Sequence, residues 1–406
     1  MIRREKKIYD HIIIGGGILG LSIAYKLSNS NKSILVLEKE NDVCNHQSGR
    51  NSGVIHSGIY YTPGSMKAKN CISGYKQLLS FCDINKIDYK LNGKLIVATK
   101  PSEFDFLDQI YKNGKKNGLN DIKYVNENEI RIIEPKCKGI KGIYVPGTGI
   151  INYKKVGNKI TELIKSNSND IIYNSKISSI TQNLKDKIVT VTCTSQKQYF
   201  GKKVFCCAGL YADELFKMTS TGPIDFKIIP FKGEYYNLIG LDANYNQTLI
   251  YPVPNPKFPF LGVHITPTLE NNIEAGPNAL LSFSKENYDK YKINLNEFFS
   301  SLFFRGLIVL GLKNLRFAIF EKLGSISSFY YKRSINKIFD TNNIKIIKGR
   351  VGIRAQAMSI NGELIDDFKI LNHENVIHVC NAPSPAATSS FAIADEVIKY
   401  IHNKNV

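Results

Sequence analysis

Tryptophan is absent from this 406-residue chain, methionine occurs only four times, and acidic residues are scarce. Eight cysteines are present, but without a C-x-x-C pair or any paired spacing. That excludes zinc-ribbon and dithiol frameworks and leaves buried, small apolar side chains as the reading. Cys206 and Cys207 are adjacent in an apolar run and should point to opposite faces of a strand. No uninterrupted apolar stretch is long enough for a transmembrane helix. The charged start MIRREKKIYD runs straight into an apolar segment, so no signal peptide is expected. The expected location is cytoplasmic, with the inner face of the cell membrane as a second reading. The acid deficit is large: 35 Asp and Glu against 54 Lys and Arg give a formal net charge of +19. Such a charge suggests an anionic partner, nucleic acid or membrane. The lysines, however, are scattered (Lys112, Lys115, Lys116, Lys154, Lys155, Lys185, Lys187), and Asn, Ile, Lys and Tyr are abundant throughout. Compositional drift explains this better, and no nucleic-acid partner is expected.

What is present begins at residue 8. Residues 8–38 read IYDHIIIGGGILGLSIAYKLSNSNKSILVLE, a strand, a glycine turn, a helix, a second strand and an acid. Ile8–Ile14 has the length and apolarity of a buried parallel strand. Gly15, Gly17 and Gly20 give the G-x-G-x-x-G spacing, which suits a tight turn, close approach of backbone to a pyrophosphate, and helix–sheet packing. The helix N-terminus offers N–H groups to phosphate. Glu38 stands where a carboxylate accepts a hydrogen bond from a ribose 2′-hydroxyl. This is a dinucleotide-binding βαβ unit.

The remaining segments suggest a discontinuous layout, as expected of a chain too long for one compact core. Residues 1–90, 151–224 and 341–406 are expected to form the dinucleotide-binding domain, and 91–150 with 225–340 a substrate domain. Helices are predicted near Ser65–Asn85, Glu103–Asn117, 154–167 and Pro385–His402. Strands are predicted at Lys94–Thr99, in three runs over 171–206, at Lys345–Arg354 and at Val376–Cys380. Prolines and alternating apolar residues over 224–290 suggest an antiparallel sheet. The least polar stretch, 298–331, carries Arg305, Lys313, Arg316, Glu321 and Lys322. It reads either as helices covering the substrate domain or as a peripheral membrane contact.

The loop after the second strand, HQSGRNSGVIHSGIYYTPGS (46–65), places small residues where a flat cofactor needs close backbone approach. With GGGILGLSIAYKL, CAGLYAD, FKGEYYNL, YPVPNPKFPFLGVHIT, GPNALL, GIRAQ and NAPSPAATSS, it resembles the D-amino-acid-oxidase-like superfamily of FAD enzymes. Within that superfamily it is similar to the L-2-hydroxyglutarate oxidase/dehydrogenase family. The resemblance covers nearly the whole chain. It implies an α/β fold, with a Rossmann-like parallel-sheet FAD domain and an antiparallel-sheet (α+β) substrate domain. It also implies oxidation of L-2-hydroxyglutarate to 2-oxoglutarate, electrons passing to quinone or oxygen, and non-covalent FAD. A glycerol-3-phosphate or amino-acid oxidase, or a basic tRNA-acting flavoprotein, is the alternative.

The resemblance assigns the cofactor to Gly15, Gly17, Gly20, Glu38, Lys39, Ser48, Gly49, Asn51, Ser52, Gly53, Ala208, Gly209, Asn381 and Ser384. Oxidation of an α-hydroxy acid needs a base for the hydroxyl proton, and histidine suits neutral pH. His56 and His264 are equal candidates, while His11, His373, His378 and His402 read as structural. Arg354, in GIRAQ, suits bidentate capture of the α-carboxylate and is expected where its strand ends. Tyr60, Tyr61, Tyr251 and Lys232 are candidates for the distal carboxylate. No metal-ligand spacing is present. Arg50 and Arg350 depart from the residues expected at their positions, a histidine and a small residue or proline.

Overall fold

The computed structural model describes residues 6–241, 247–254, 262–282, 284–286, 288, 294–313 and 328–401. Arg316, Glu321, Lys322 and His402, and residues 255–261 of the YPVPNPKFPFLGVH motif, lie outside the described residues.

The predicted βαβ unit forms the centre of an eight-stranded sheet. Its parallel strands lie in the order Asp170–Ile172, Ile34–Leu37, Ile8–Ile14, Gln198–Cys206 and Val376–Asn381. Lys369–His373 adds an antiparallel edge. Ile177–Asn183 and Ile188–Cys193 form an antiparallel meander with the first half of Gln198–Cys206. The period-2 alternation of strand side chains divides the core. Ile13, Val36, Phe205 and Ile377 pack under helices Ile18–Ser28, Met66–Asn85, Tyr153–Ser166 and Ser390–Lys399. Ile12, Ile14, Leu35, Leu37, Val204 and Val376 pack on the other side with the meander and Leu215 of helix Ala212–Thr219. Burial on both faces is why these strands read as continuous apolar runs.

The second sheet has nine strands. Across it run Leu280–Leu281, Phe226–Ile239, Ile273–Gly276, His264–Pro267, Leu249–Pro252, Lys94–Ala98, Lys141–Val145 and Lys123–Asn126, and Lys345–Ser359 pairs along Phe226–Ile239. One pair, Lys94–Ala98 with Leu249–Pro252, is parallel; the other ladders are antiparallel. Leu95, Val97, Ile250, Ile265 and Ala275 pack into a core on one face, closed by Tyr331, Ile335 and Phe339. By the same alternation Lys94, Tyr251, His264 and Glu274 stand on the opposite face. Val54–Ile55, Gly149–Ile151 and Tyr89–Lys90 make a small third sheet.

Three expectations change. Lys345–Ser359, grouped by sequence with the dinucleotide-binding segments, belongs to the second sheet, because its register with Phe226–Ile239 runs from Ile239↔Lys345 to Phe226↔Ser359. For the same reason Arg354 lies within its strand, which continues five residues further. The last helix starts at Ser390, not Pro385. The preceding residues form a turn, closed by Ala386 N–H to Pro383 O at 2.9 Å and Ser389 N–H to Pro385 O at 3.0 Å.

The tightest backbone contact in the βαβ unit is between its glycines. Gly15 has φ +110° and donates its N–H to Leu37 O at 2.9 Å. A Cβ on Gly20 would lie 2.0 Å from Gly15 O. Gly20→Ala should therefore force helix and turn apart and destabilise the fold by about 3 kcal/mol. Urea unfolding measures this; an unchanged midpoint would contradict the packing described.

Candidate active site

At the carboxyl ends of the central parallel strands, the glycine turn and the turn after Gln198–Cys206 abut. Cys207 N–H donates to Ile14 O at 2.8 Å, and Ala208 and Gly209 follow at the start of a short 3-10 turn. Helix Ile18–Ser28 begins without a side-chain cap from Gly17. Instead Ser48 Oγ accepts from Ile18 N–H at 2.9 Å. Glu38 is buried, and its two carboxylate oxygens accept from Gly16 N–H at 2.6 Å and Glu40 N–H at 2.9 Å. A pyrophosphate fits this arrangement: it would meet glycine backbone, a positive helix end and a hydroxyl, with Glu38 held in place for a ribose.

The loop 44–53 ties this edge to the second sheet. Its fold is stitched by Asn51, whose amide donates to Gln47 O at 3.0 Å and Ser48 O at 2.8 Å and whose Oδ1 accepts from Gly53 N–H at 2.7 Å. A Cβ on Gly49 would lie 2.3 Å from Cys44 O, and one on Gly53 2.6 Å from Ile151 O. Gln47 Oε1 accepts from Ala355 N–H at 2.9 Å. The two sequence departures are built into the same crossing. Arg350 pairs with Glu274 (Nε–Oε1 2.7 Å), donates to Asn51 O and lies over the Tyr235 ring. Arg50 donates to Asn45 O at 2.9 Å and sits 4.0 Å from the Tyr288 ring centroid. Arginine at both positions thus secures the loop.

Beyond the loop, one face of the second sheet gathers the predicted chemistry. His264 is buried and stacks on Tyr251 with ring centroids 4.1 Å apart. Its Nδ1 lies 3.4 Å from Gly262 O and its Nε2 3.5 Å from Ser52 Oγ. Nδ1–H donation to the carbonyl leaves Nε2 as the acceptor. His56 is half-buried on the facing loop, with its N–H bonded to Thr388 Oγ1 and Nε2 3.5 Å from Ser384 Oγ. Burial pushes both histidines down to about 3; Lys94 adds to the effect at both, and Arg354 adds to it at His264. Burial also raises the Tyr60, Tyr61 and Tyr251 hydroxyls, and Tyr61 hydrogen-bonds Ser384.

Sequence reasoning missed Lys94. It opens the strand KLIVA and is fully buried, with Nζ 4.6 Å from the Tyr60 ring centroid and 4.9 Å from that of Tyr251. The signal was available: a lysine in register with the inward positions of an otherwise apolar strand.

Some predicted residues are placed elsewhere. Arg354 is directly opposite Phe231, so Lys232 projects from the other face of that ladder. Lys39 sits among Glu40, Glu286 and His46 Nε2, the last at 3.0 Å, with the His46 Nδ1 bonded to Tyr288. The Asn381 side chain is spent on protein: it donates to Ile365 O and Asp367 O and accepts from Ala357 N–H. The structural reading of His11 and His378 fits their settings: both are buried, each edge-on to a phenylalanine, and His378 Nε2 lies 2.8 Å from Thr219 Oγ1. All eight thiols are free. A cleft of about 330 Å³ lies beside Ser48–Gly53 and Pro267–Glu270 and includes neither His56 nor His264.

The fold and the site define a flavoprotein of the Rossmann-like, two-sheet kind. The family model "FAD dependent oxidoreductase" (DAO) matches residues 10–400, and the chain belongs to that family. It is 41% identical to an L-2-hydroxyglutarate dehydrogenase of Indibacter alkaliphilus over 396 residues, covering 97% of this chain and 98% of that one. It is 37% identical to the enzyme of the same name from Escherichia coli K12, covering 97% and 93%. Among solved structures, L-α-glycerophosphate oxidase from Mycoplasma pneumoniae with FAD bound superposes with TM-score 0.78 at 23% identity, covering 98% of this chain and 96% of that one. Glycine oxidase from Geobacillus kaustophilus gives 0.71 at 14%, covering 98% and 95%. Both share the fold.

Four histidines held neutral make stability pH-dependent. His56 and His264 lie near 3, and His11 and His378 near 4, against an ordinary value of 6.5. Below pH 6.5 the unfolded chain binds these protons and the folded chain does not, so stability falls as pH falls from 6.5 to 4. Each group contributes up to about 1.4 kcal/mol per pH unit. Lys94, lowered to about 7, is mostly charged in both states there and contributes little slope below about pH 6. The double variant His56→Gln/His264→Gln should lose about half of this histidine slope in urea midpoints; an unaltered slope would show that the two rings are protonated in the fold.

Proposed function

We propose that this chain oxidises L-2-hydroxyglutarate to 2-oxoglutarate with FAD bound between the glycine turn, Glu38, the 44–53 loop and the turn before Ser390. The observation that carries the reading is the face of the second sheet on which buried, neutral His264 lies within the electrostatic reach of Arg354 and Lys94. Full-length relatives named L-2-hydroxyglutarate dehydrogenase support it. The discontinuous FAD domain, 1–90 with 151–224 and 376–401, and a substrate domain built on the second sheet are part of the same reading.

When bound, FAD supplies the acceptor for the hydride of an α-hydroxy acid. The chain's own residues bind the substrate, orient it and move its hydroxyl proton. The Arg354 guanidinium forks around the α-carboxylate and fixes the hydroxyl-bearing carbon. His264 Nε2, unprotonated and directed at Ser52, takes the hydroxyl proton. Neutrality at pH 7 is what fits this ring for a base, and burial that disfavours imidazolium holds it neutral. His56, with Ser384 and Tyr61, closes the site from the loop side and excludes water.

Electron transfer onward is proposed to use a quinone at the inner face of the cell membrane, with oxygen as the alternative acceptor. Leu295, Phe299 and Leu302 on helix Leu295–Leu302, Phe303 just after it, and Ile308 on helix Arg305–Lys313 are exposed apolar side chains that support contact with a lipid surface. Among the described residues no helix is long and apolar enough to cross a membrane.

Anaerobic mixing of the FAD-loaded protein with L-2-hydroxyglutarate should bleach the flavin and release 2-oxoglutarate, with no response to the D isomer. A flavin that stays oxidised would overturn the substrate assignment. His264→Gln should slow bleaching by about 10²–10⁴-fold, and Arg354→Lys should raise the apparent substrate constant at least tenfold. If His56→Gln is the slower enzyme, the base is His56. Separately, the wild type should float with anionic liposomes and an Arg305/Lys313/Arg316 charge-reversal variant should not; equal, negligible flotation would remove the membrane contact.

A further inference from the structure

Lys94 is a buried ammonium group in an unusual setting. It is 1% exposed, and among the described residues no carboxylate is recorded acting on it. Its nearest recorded neighbours are aromatic faces: Tyr60 at 4.6 Å and Tyr251 at 4.9 Å from Nζ. The Tyr60 hydroxyl is itself buried with no hydrogen-bond partner among the described residues. A buried cation is ordinarily paired, and a buried hydroxyl ordinarily bonded, because each otherwise forfeits its hydration. Two donors of this kind in one buried region call for an anionic acceptor, and the described residues supply none.

Sheet geometry says where that acceptor belongs. The strand of Lys94 adjoins that of Tyr251, which adjoins that of His264. Adjacent strands lie about 4.8 Å apart, so the Lys94 strand is about 10 Å from the His264 strand. Arg354 stands beyond the opposite side of His264, on the strand paired to Phe226–Ile239. Lys and Arg both have long side chains, and the charges of both are felt at His264. The base is thus flanked by one cation on each side.

We propose that Lys94, with the Tyr60 hydroxyl, binds the second carboxylate of the substrate and so makes the enzyme selective for dicarboxylic 2-hydroxy acids over monocarboxylic ones. This rests on the reading that Arg354 and His264 handle the α-hydroxy acid end. Lys232, the lysine favoured by sequence, stands on the far face of its ladder and leaves this role to Lys94. Burial lowers the Lys94 ammonium to about 7, and the groups recorded around it are Cys71, His56, His264, Tyr60 and Tyr251. None of these is an anion at neutral pH, so a bound carboxylate is the charge that holds Lys94 protonated.

The test compares wild-type and Lys94→Met holoenzymes, the methionine keeping length and removing charge. FAD content and thermal midpoint confirm that the variant is folded and loaded. Flavin reduction is followed with L-2-hydroxyglutarate and with L-2-hydroxybutyrate, which lacks only the distal carboxylate. The wild type should prefer the dicarboxylate by at least 100-fold in kcat/KM, and Lys94→Met should reduce that ratio to below 10-fold. An unchanged ratio overturns the proposal. Titration with glutarate and with butyrate, read by the flavin spectrum and by calorimetry, gives the answer without turnover. Glutarate should bind the wild type at least 50-fold more tightly than Lys94→Met, and equal affinities overturn the proposal. If L-2-hydroxyglutarate leaves the wild-type flavin oxidised, the substrate reading falls, and the glutarate titration still decides whether Lys94 is a carboxylate site. Should Lys94→Met not load FAD, Tyr60→Phe takes its place, with an expected loss of at least fivefold in the same ratio and no loss as the refuting result.

Discussion

The carbonyl of Arg50 lies 2.3 Å from where a side chain at position 352 would begin, so the loop crosses the long strand Lys345–Ser359 with backbone against backbone. The rest of the site depends on this approach. Gly352 permits it, Gln47 secures it through Ala355 N–H, and Arg350 locks it by joining Glu274 to Asn51 O. The loop therefore has one end on the cofactor-side helix, where Ser48 meets Ile18 N–H, and its middle on the second sheet. A larger residue at 352 would hold the two sheets apart and separate His56 from His264. Close backbone approach is a steric condition, and side-chain chemistry at the site operates only within it.

Desolvation then sets the electrostatics. In the protein interior the effective dielectric is low, so neutral forms are favoured unless a counter-charge is present. Both histidines are held neutral, the tyrosines are held protonated, and Lys94 is brought close to losing its proton. Arg354 and Lys94 leave the pocket positive while its base remains uncharged. A dianionic substrate fits that pattern twice over. On the proposed reading its carboxylates would meet the two cations, and their negative charge would raise the proton affinity of His264, strengthening it as a base when the substrate is in place. A neutral or monoanionic ligand would supply only part of that effect.

The fold was legible wherever local pattern and tertiary role coincide. The βαβ unit showed in its glycine spacing and terminal acid because each element has its own period and the turn has a fixed stereochemistry. The helix at Met66–Asn85 begins where Ser65 caps it, one residue inside the prediction. What the sequence concealed was non-local. Lys345–Ser359 was assigned to the wrong sheet because strand pairing across more than a hundred residues leaves no local mark. Pro385 suggested a helix start, yet the turn it belongs to is held by its own hydrogen bonds and the helix begins later. Motif and chemistry single out His56, His264, Tyr251 and Arg354 as candidates, and the fold brings them near one another: His264 stacks on Tyr251 and feels the charge of Arg354, and His56 feels His264. Lys94 was overlooked because lysines are so frequent in this chain that its place at the start of the apolar strand KLIVA did not stand out until its burial was seen.

Scarcity of acid also has a place in this arrangement. With 35 acids for 54 bases, cations outnumber the carboxylates available to pair with them. Most unpaired lysines can remain at the surface, where water screens them and their energetic effect is small. Lys94 is held inside by the alternation of its strand: exposing it would turn Leu95 and Val97 out of their core. The burial of two apolar neighbours, worth several kcal/mol together, outweighs the cost of one desolvated ammonium, which is reduced further by the two tyrosine faces. The second sheet can therefore keep a cation with no protein anion beside it among the described residues, and that charge is what the proposed preference for an anionic ligand rests on.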